Sequence, residues 1–305
     1  MTVAAGLIAS RFVHYAALMI LFGVAAFPVY AYYAKAPSAF EAEAFFPWSR
    51  RVQIVSVLAA LVSGILWLGF VAATMSGQPA ALFDANILWQ VISTTDFGRV
   101  WAPRLGLTGV ALILLLPKNP PETLRLTVLG CAAIALTSIA DTGHAGADNG
   151  PRAALHITAD AVHLSAAGVW VGALFILARF ALIARRLEDR DLRIFDHALT
   201  RFSGVGPVVV GALTLSGILN PGFLASLETT YGQVLLAKLV LFGAMLLLAA
   251  ANRFRLAPRL QFALASGIGS ESATRALRTS VLAETVLSLL VLAAVAWLGT
   301  LAPPA

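Results

Sequence analysis

ALHITADAVHLSAAGVWVGALFILARFALIA, residues 154–184, decides the fold class. It is longer than the about 20 residues needed to cross a bilayer, and its one arginine, Arg179, lies near its far end, so it reads as a membrane-spanning helix. Its near end carries His156, Asp160 and His163. At about 100° per residue these three fall within roughly 60° of one another on a helix surface, so they share one face. Ionisable groups in hydrocarbon are costly unless partnered, which makes this face a candidate functional site. Just upstream, Asp141-Thr-Gly-His144 adds a fourth metal-type ligand in a glycine-containing segment.

The same hydropathy recurs along the chain. With 59% hydrophobic and 12% charged residues and a mean hydropathy of +0.85, the sequence is that of an all-α, polytopic membrane helix bundle. Breaks at charges, prolines and glycines predict about eight transmembrane helices, over residues 12–33, 52–75, 100–116, 124–140, 154–184, 202–218, 231–252 and 279–301. Pro117-Lys118-Asn119-Pro120-Pro121 ends the third, because such a run cannot remain helical. With no internal repeat and no separate soluble stretch, residues 1–305 read as one integral membrane domain. The first apolar run lacks a small-residue cleavage site after a basic region and is expected to be a retained span.

The net charge of +6 is explained by topology and gives no support to nucleic-acid binding. The loops after spans one, three, five and seven hold most of the lysines and arginines, whereas only Arg11, Arg99, Arg104 and Arg152 fall on the opposite side. The positive-inside rule then sets both termini away from the cytoplasm and the 141–163 stretch on the outer side. His14, Arg104, Asp160, His163 and Lys238 all fall early in spans that enter from outside, and a bundle that brought them together would let their charges compensate. The alternative for Arg104, Lys238 and Asp160 is snorkelling and a structural ion pair.

Imidazole is the commonest transition-metal ligand, and two helical histidines with a carboxylate supply three donors, or two donors and an orienting carboxylate. The candidate metal ligands are therefore His144, His156, His163, Asp160 and His14, with Asp141, Arg104, Lys238 and Trp170 as supporting polar groups. Trp170 follows His163 by seven residues and is expected to pack around the site. Cys131 reads as a small buried hydrophobe, His197 as a solvated surface residue, and Trp48, Trp89, Trp101, Tyr231 and Phe97 as interfacial aromatics. Ser165 lacks the setting of a nucleophile, so no catalytic residue is expected.

Three ordered segments resemble the copper resistance protein D (CopD) family. They are Thr95-Asp96-Phe97-Gly98-Arg99-Val100-Trp101 with Arg104, the Gly143-His144-Ala145 and Ala159–Leu164 pair followed by Val169-Trp170-Val171-Gly172-Ala173-Leu174, and Thr230–Lys238 followed by Asn252-Arg253 and Pro258-Arg259-Leu260. The resemblance spans nearly the whole chain. It implies a bacterial inner-membrane protein of copper homeostasis that moves copper from periplasm toward cytoplasm, beside a separate periplasmic CopC-type copper-binding partner.

The residues fit that implication in part. Four methionines and one thiol do not make a sulfur-rich Cu(I) ladder, whereas an outward N/O site suits Cu(II), or Cu(I) held by histidines. Met19 and Met75 are ordinary packing residues that are also possible relays. No nucleotide-binding motif is present, so active transport would use a gradient. Two rivals stay open: a b-type haem electron carrier, with histidines on the iron and Arg104 or Lys238 on a propionate, and a non-transporting copper-delivery or assembly partner.

Overall fold

The structure is a computed structural model that describes residues 2–32, 36–142, 151–218 and 228–301. Among the described residues every regular element is helical. The helices are α1 (Val3–Ala31), α2 (Ala39–Ser76), α3 (Ala85–Thr94), α4 (Asp96–Leu114), α5 (Glu122–Thr137), α6 (Pro151–Ile183), α7 (Asp189–Ile218), α8 (Thr230–Ala251), α9 (Ala257–Ser266) and α10 (Ser270–Leu298). The all-α membrane bundle expected from hydropathy is what forms. Among the described residues six helical stretches are long and apolar enough to cross a membrane. The third and fourth expected spans coincide with α4 and α5, helices of 19 and 16 residues that are not among those six.

Helix ends follow from local chemistry. Ser38 and Glu41 form a reciprocal capping box at the start of α2: Glu41 N donates to Ser38 Oγ, and Ser38 N donates to Glu41 Oε2 at 2.8 Å. Gly77, at φ +70°, ends that helix in the left-handed conformation that glycine tolerates. Arg50 of α2 then gathers the carbonyls beyond α4, with Nε 2.9 Å from Leu115 O and Nη2 2.7 Å from Leu116 O. Those are carbonyls that the end of α4 leaves without helical donors.

The centre of the bundle is a backbone-to-backbone contact between α1 and α6. A Cβ added to Gly23 would lie 2.1 Å from Gly168 O, and one added to Gly172 would lie 2.4 Å from Gly23 Cα. Lipid tails are as apolar as leucine, so close approach through small residues, rather than hydrophobic burial, drives helices together in a bilayer. Around this contact α1 packs against α2, α5, α6 and α10. By contrast α8 turns much of its apolar surface outward; Val240 and Leu247 are 63% and 75% exposed, as lipid-facing positions are. At its end α8 passes through a five-residue π turn, Asn252–Leu256, directly into α9.

Candidate functional site

The five intramembrane polar residues that share an expected depth fall into two separate groups. The first surrounds Trp67 of α2, which is 2% exposed. His14 of α1, completely buried, packs edge-on to this indole with ring centroids 5.5 Å apart. Its Nδ1 lies 2.9 Å from Ala60 O, a group that can only accept, so Nδ1 carries the proton and Nε2 holds the lone pair. Nε2 has no hydrogen-bond partner among the described residues.

Two guanidiniums share the same indole. Arg11 and Arg104 sit 5.2 Å and 5.6 Å from its centroid. Arg104 does not snorkel: it is 1% exposed and donates from Nε to Ser138 Oγ and from Nη2 to Ser138 O, both at 2.8 Å. Arg11 ties α1 to the end of α10 through Gly299 O at 2.7 Å and to Tyr15 Oη at 2.9 Å. Asp141, exposed in the turn after α5, lies within electrostatic reach of Arg104 and so belongs to this group. Phe97 packs on Trp67 at 5.2 Å, and Trp101 Nε1 donates to Gly64 O at 2.8 Å. Both therefore help to build the first group.

The second group lies where α6, α7 and α8 meet. His163 Nδ1 is 2.9 Å from Ser216 Oγ, and the Ser216 hydroxyl donates to Ala212 O at 2.6 Å. The serine proton is thus committed, so His163 donates from Nδ1 and keeps its Nε2 lone pair. Metal-binding histidines are usually held by a hydrogen bond at the other ring nitrogen in this way. Lys238 of α8 acts electrostatically on both His163 and Asp160, so a cation and an anion share the imidazole's surroundings. His156, half-buried, lies two turns earlier on α6.

His144 lies outside the described residues. Among the described residues no three His, Cys, Asp or Glu side chains come together as a group able to hold a metal ion. His14 is held in the Trp67 group with two arginines, and His163 in the second group. A site built on His156, Asp160 and His163 would need a further donor or a rearrangement of their side chains.

Trp170 has a polar partner that its expected packing role did not include. It is buried, but its Nε1 donates to Glu284 Oε1 of α10 at 3.0 Å, and Asn252 Nδ2 donates to Glu284 Oε2 at 2.9 Å. Glu284 escaped notice although a lone acid in the apolar run 281–298 carries the same signal that singled out Asp160. Ser138 and Ser216 gave no signal, since a serine in a span ordinarily bonds its own helix. His197 is not merely solvated: its Nδ1 lies 3.4 Å from Oε1 of buried Glu41, which Arg201 also reaches at 3.2 Å.

Similarity to known proteins converges on one group. The family described as copper resistance protein D-like, N-terminal domain, matches residues 1–155, and that described as copper resistance protein D matches residues 196–298. The chain is 34% identical over 306 residues to copper resistance protein D of Pseudomonas syringae pv. tomato, covering 97% of this chain and 96% of that protein. It is 34% identical over 264 residues to inner membrane protein YebZ of Escherichia coli K12, covering 83% and 85%. It is 26% identical to copper transport protein CutJ of Bacillus subtilis 168, over 80% of this chain but 46% of that protein. No solved structure matches the chain. With both of its halves recognised and a relative aligned from end to end, the chain belongs to the copper resistance protein D family.

Proposed function

We propose that this protein moves copper across the bacterial inner membrane toward the cytoplasm, taking it up at an outward-facing site centred on His163. The observation that carries this reading is the fixed tautomer of His163: Nδ1–H is bound to Ser216, which leaves the Nε2 lone pair for a metal ion. His156 and Asp160 on the same helix, and His144, which precedes it in sequence, supply the other donors. Asp160 offsets the charge of the incoming cation, and Lys238 holds that carboxylate when no copper is present. The outward orientation rests on the distribution of lysine and arginine between loops, which also sets both termini in the periplasm. A separate periplasmic CopC-like protein is the expected copper donor.

His14 has no ligand role in this reading. Its Nε2 has no partner among the described residues, but Arg104 acts on it electrostatically and Arg11 and Arg104 share its indole neighbour, a field that repels a copper cation. Its place is structural, joining α1 to α2. The relatives named for copper resistance and copper transport support the choice of copper over zinc or nickel, which an N/O donor set alone does not decide. No chemistry beyond binding and passage is assigned to these residues.

The test is copper accumulation in cells that express wild type or His163→Ala at equal membrane levels. The variant is expected to lose the copper taken up above the level of cells lacking the protein. Equal accumulation by both proteins overturns the reading. A stoichiometric haem spectrum in the purified protein would instead assign the histidines to electron transfer.

A further inference from the structure

Glu284 of α10 lies inside the expected last span, five residues or about 8 Å from its start at Thr279, and it is 3% exposed. A carboxylate buried within a span is costly unless it is compensated. Yet no cation pairs with it among the described residues. The charged groups of the elements packed on α10 are engaged elsewhere or face outward. Arg11 of α1 is bonded to Gly299 and Tyr15, and Lys238 of α8 sits with Asp160 and His163. Arg253 of the π turn donates to the Ser203 carbonyl, while Arg179 of α6, Arg185 and Arg186 just after it, Arg255 of the π turn and Arg259 of α9 are exposed; on α10 itself Arg275 pairs with Glu271 and Arg278 lies six residues before Glu284.

The two groups that do meet the carboxyl are neutral, and they suit both of its protonation states. Trp170 Nε1 can only donate, and it serves Oε1 whether the acid is charged or neutral. Asn252 is an amide with a donor and an acceptor at the same end. With Nδ2 toward Oε2 it serves the ionised form, as in the structure. Its Oδ1 is buried and has no hydrogen-bond partner among the described residues. Rotation of the amide would present Oδ1 to an O–H on Oε2, so the neutral acid would also be satisfied. The π turn that starts at Asn252 is a second departure from regular helix at the same place, and such turns gather at functional positions.

Further buried hydroxyls lie along α10 on both sides of the carboxyl. Ser280 lies one turn toward the N-terminal end of the helix and Thr274 further along, and neither Oγ has a partner among the described residues. Ser288 lies one turn on the other side. On α6, Trp170 is seven residues from His163, about 10 Å along the axis. The carboxyl is therefore joined through one helix to the candidate copper site without touching it.

We propose that Glu284 is an intramembrane proton-binding site, with Asn252 as the two-way partner of its charged and neutral forms, and that proton uptake there drives copper passage. In the binding step a proton from water on one side forms an O–H bond at Oε2; on release that bond breaks and the proton passes to water on the other side. No electrons move. The coupling half of this proposal rests on the copper-transport reading, whereas the proton site does not.

The experiment joins two readouts on purified protein in lipid vesicles. Infrared difference spectra between acid and alkaline buffer are expected to show a neutral-carboxyl band in wild type. Glu284→Gln should lose it, and Glu284→Asp should keep it at a shifted frequency, which separates loss of the site from loss of folding. Copper uptake into the same vesicles should be stimulated by a pH gradient in wild type, and in Glu284→Gln should fall to the rate without a gradient. Identical carboxyl spectra for wild type and Glu284→Gln overturn the proton site. An intact gradient stimulation in Glu284→Gln overturns the coupling. If wild type itself takes up no copper, the transport reading fails, and the infrared band alone decides whether Glu284 binds a proton.

Discussion

The Trp67 group and the His163 group use the same local device in opposite electrostatic settings. In both, an imidazole is fixed by a hydrogen bond from Nδ1 to a neighbouring helix, to Ala60 O for His14 and to Ser216 Oγ for His163, and in both Nε2 keeps its lone pair. What differs is the charge around that lone pair. His14 sits with two guanidiniums and an indole, and His163 with a carboxylate and one ammonium. In the proposed reading the sign of the surrounding field, and not a free imidazole nitrogen alone, marks the cation site. The first group ties α1, α2, α4 and the turn after α5 together, while the second lies beside α8, whose apolar face looks outward.

The difference can be broken most forcefully at the close α1–α6 contact, since α1 carries His14 and α6 carries His163. Gly172→Leu would push a side chain into the Gly23 backbone, where even a Cβ would lie 2.4 Å from Cα. The expected result is loss of nearly all folded protein from detergent extracts, read by size-exclusion chromatography; normal recovery would show that the contact is not essential. Trp67→Ala comes next, removing the surface on which His14, Arg11 and Arg104 meet. It should cost about 3–5 kcal/mol, read as a lowered melting temperature, and should leave copper affinity per folded molecule unchanged.

Smaller effects sharpen the second group. Ser216→Ala frees His163 to rotate and should weaken copper binding by about 10–100-fold without lowering stability much, measured by competition titration. An unchanged affinity would mean that the Ser216 bond does not orient a ligand. Least of all, Arg190→Ala breaks the exposed pair with Glu43, 2.9 Å apart, and should change stability by less than about 1 kcal/mol in thermal melts.

How much of this was legible follows from the range of each signal. Hydropathy is a local property, so α1, α2, α6, α7, α8 and α10 could be read from their apolar runs, and α6 carried its histidines in view. The family resemblance also rested on local strings, and the structure gives several of them a physical cause. Gly172 lets α6 approach α1, Gly98 lies against the Ile92 backbone, Arg104 holds Ser138, and Asn252 starts the π turn and meets Glu284. The partition of the polar residues was not legible. Depth along a span follows from residue count, but position around the bundle depends on which helices touch, and nothing near His14 or His163 in sequence encodes that. Ser138 and Ser216 were hidden for the same reason, being ordinary serines until a residue 34 or 53 positions away reaches them. Glu284 was legible by the rule applied to Asp160 and was passed over because no second ligand-type residue stood beside it.

The decisive measurement is copper content and affinity in purified wild type, His163→Ala and His14→Ala, each confirmed as folded by size-exclusion chromatography. Retention of copper at wild-type affinity by His14→Ala, together with its loss from His163→Ala, is the result expected if the surrounding charge selects the copper site. Copper lost from His14→Ala and kept by His163→Ala would contradict it.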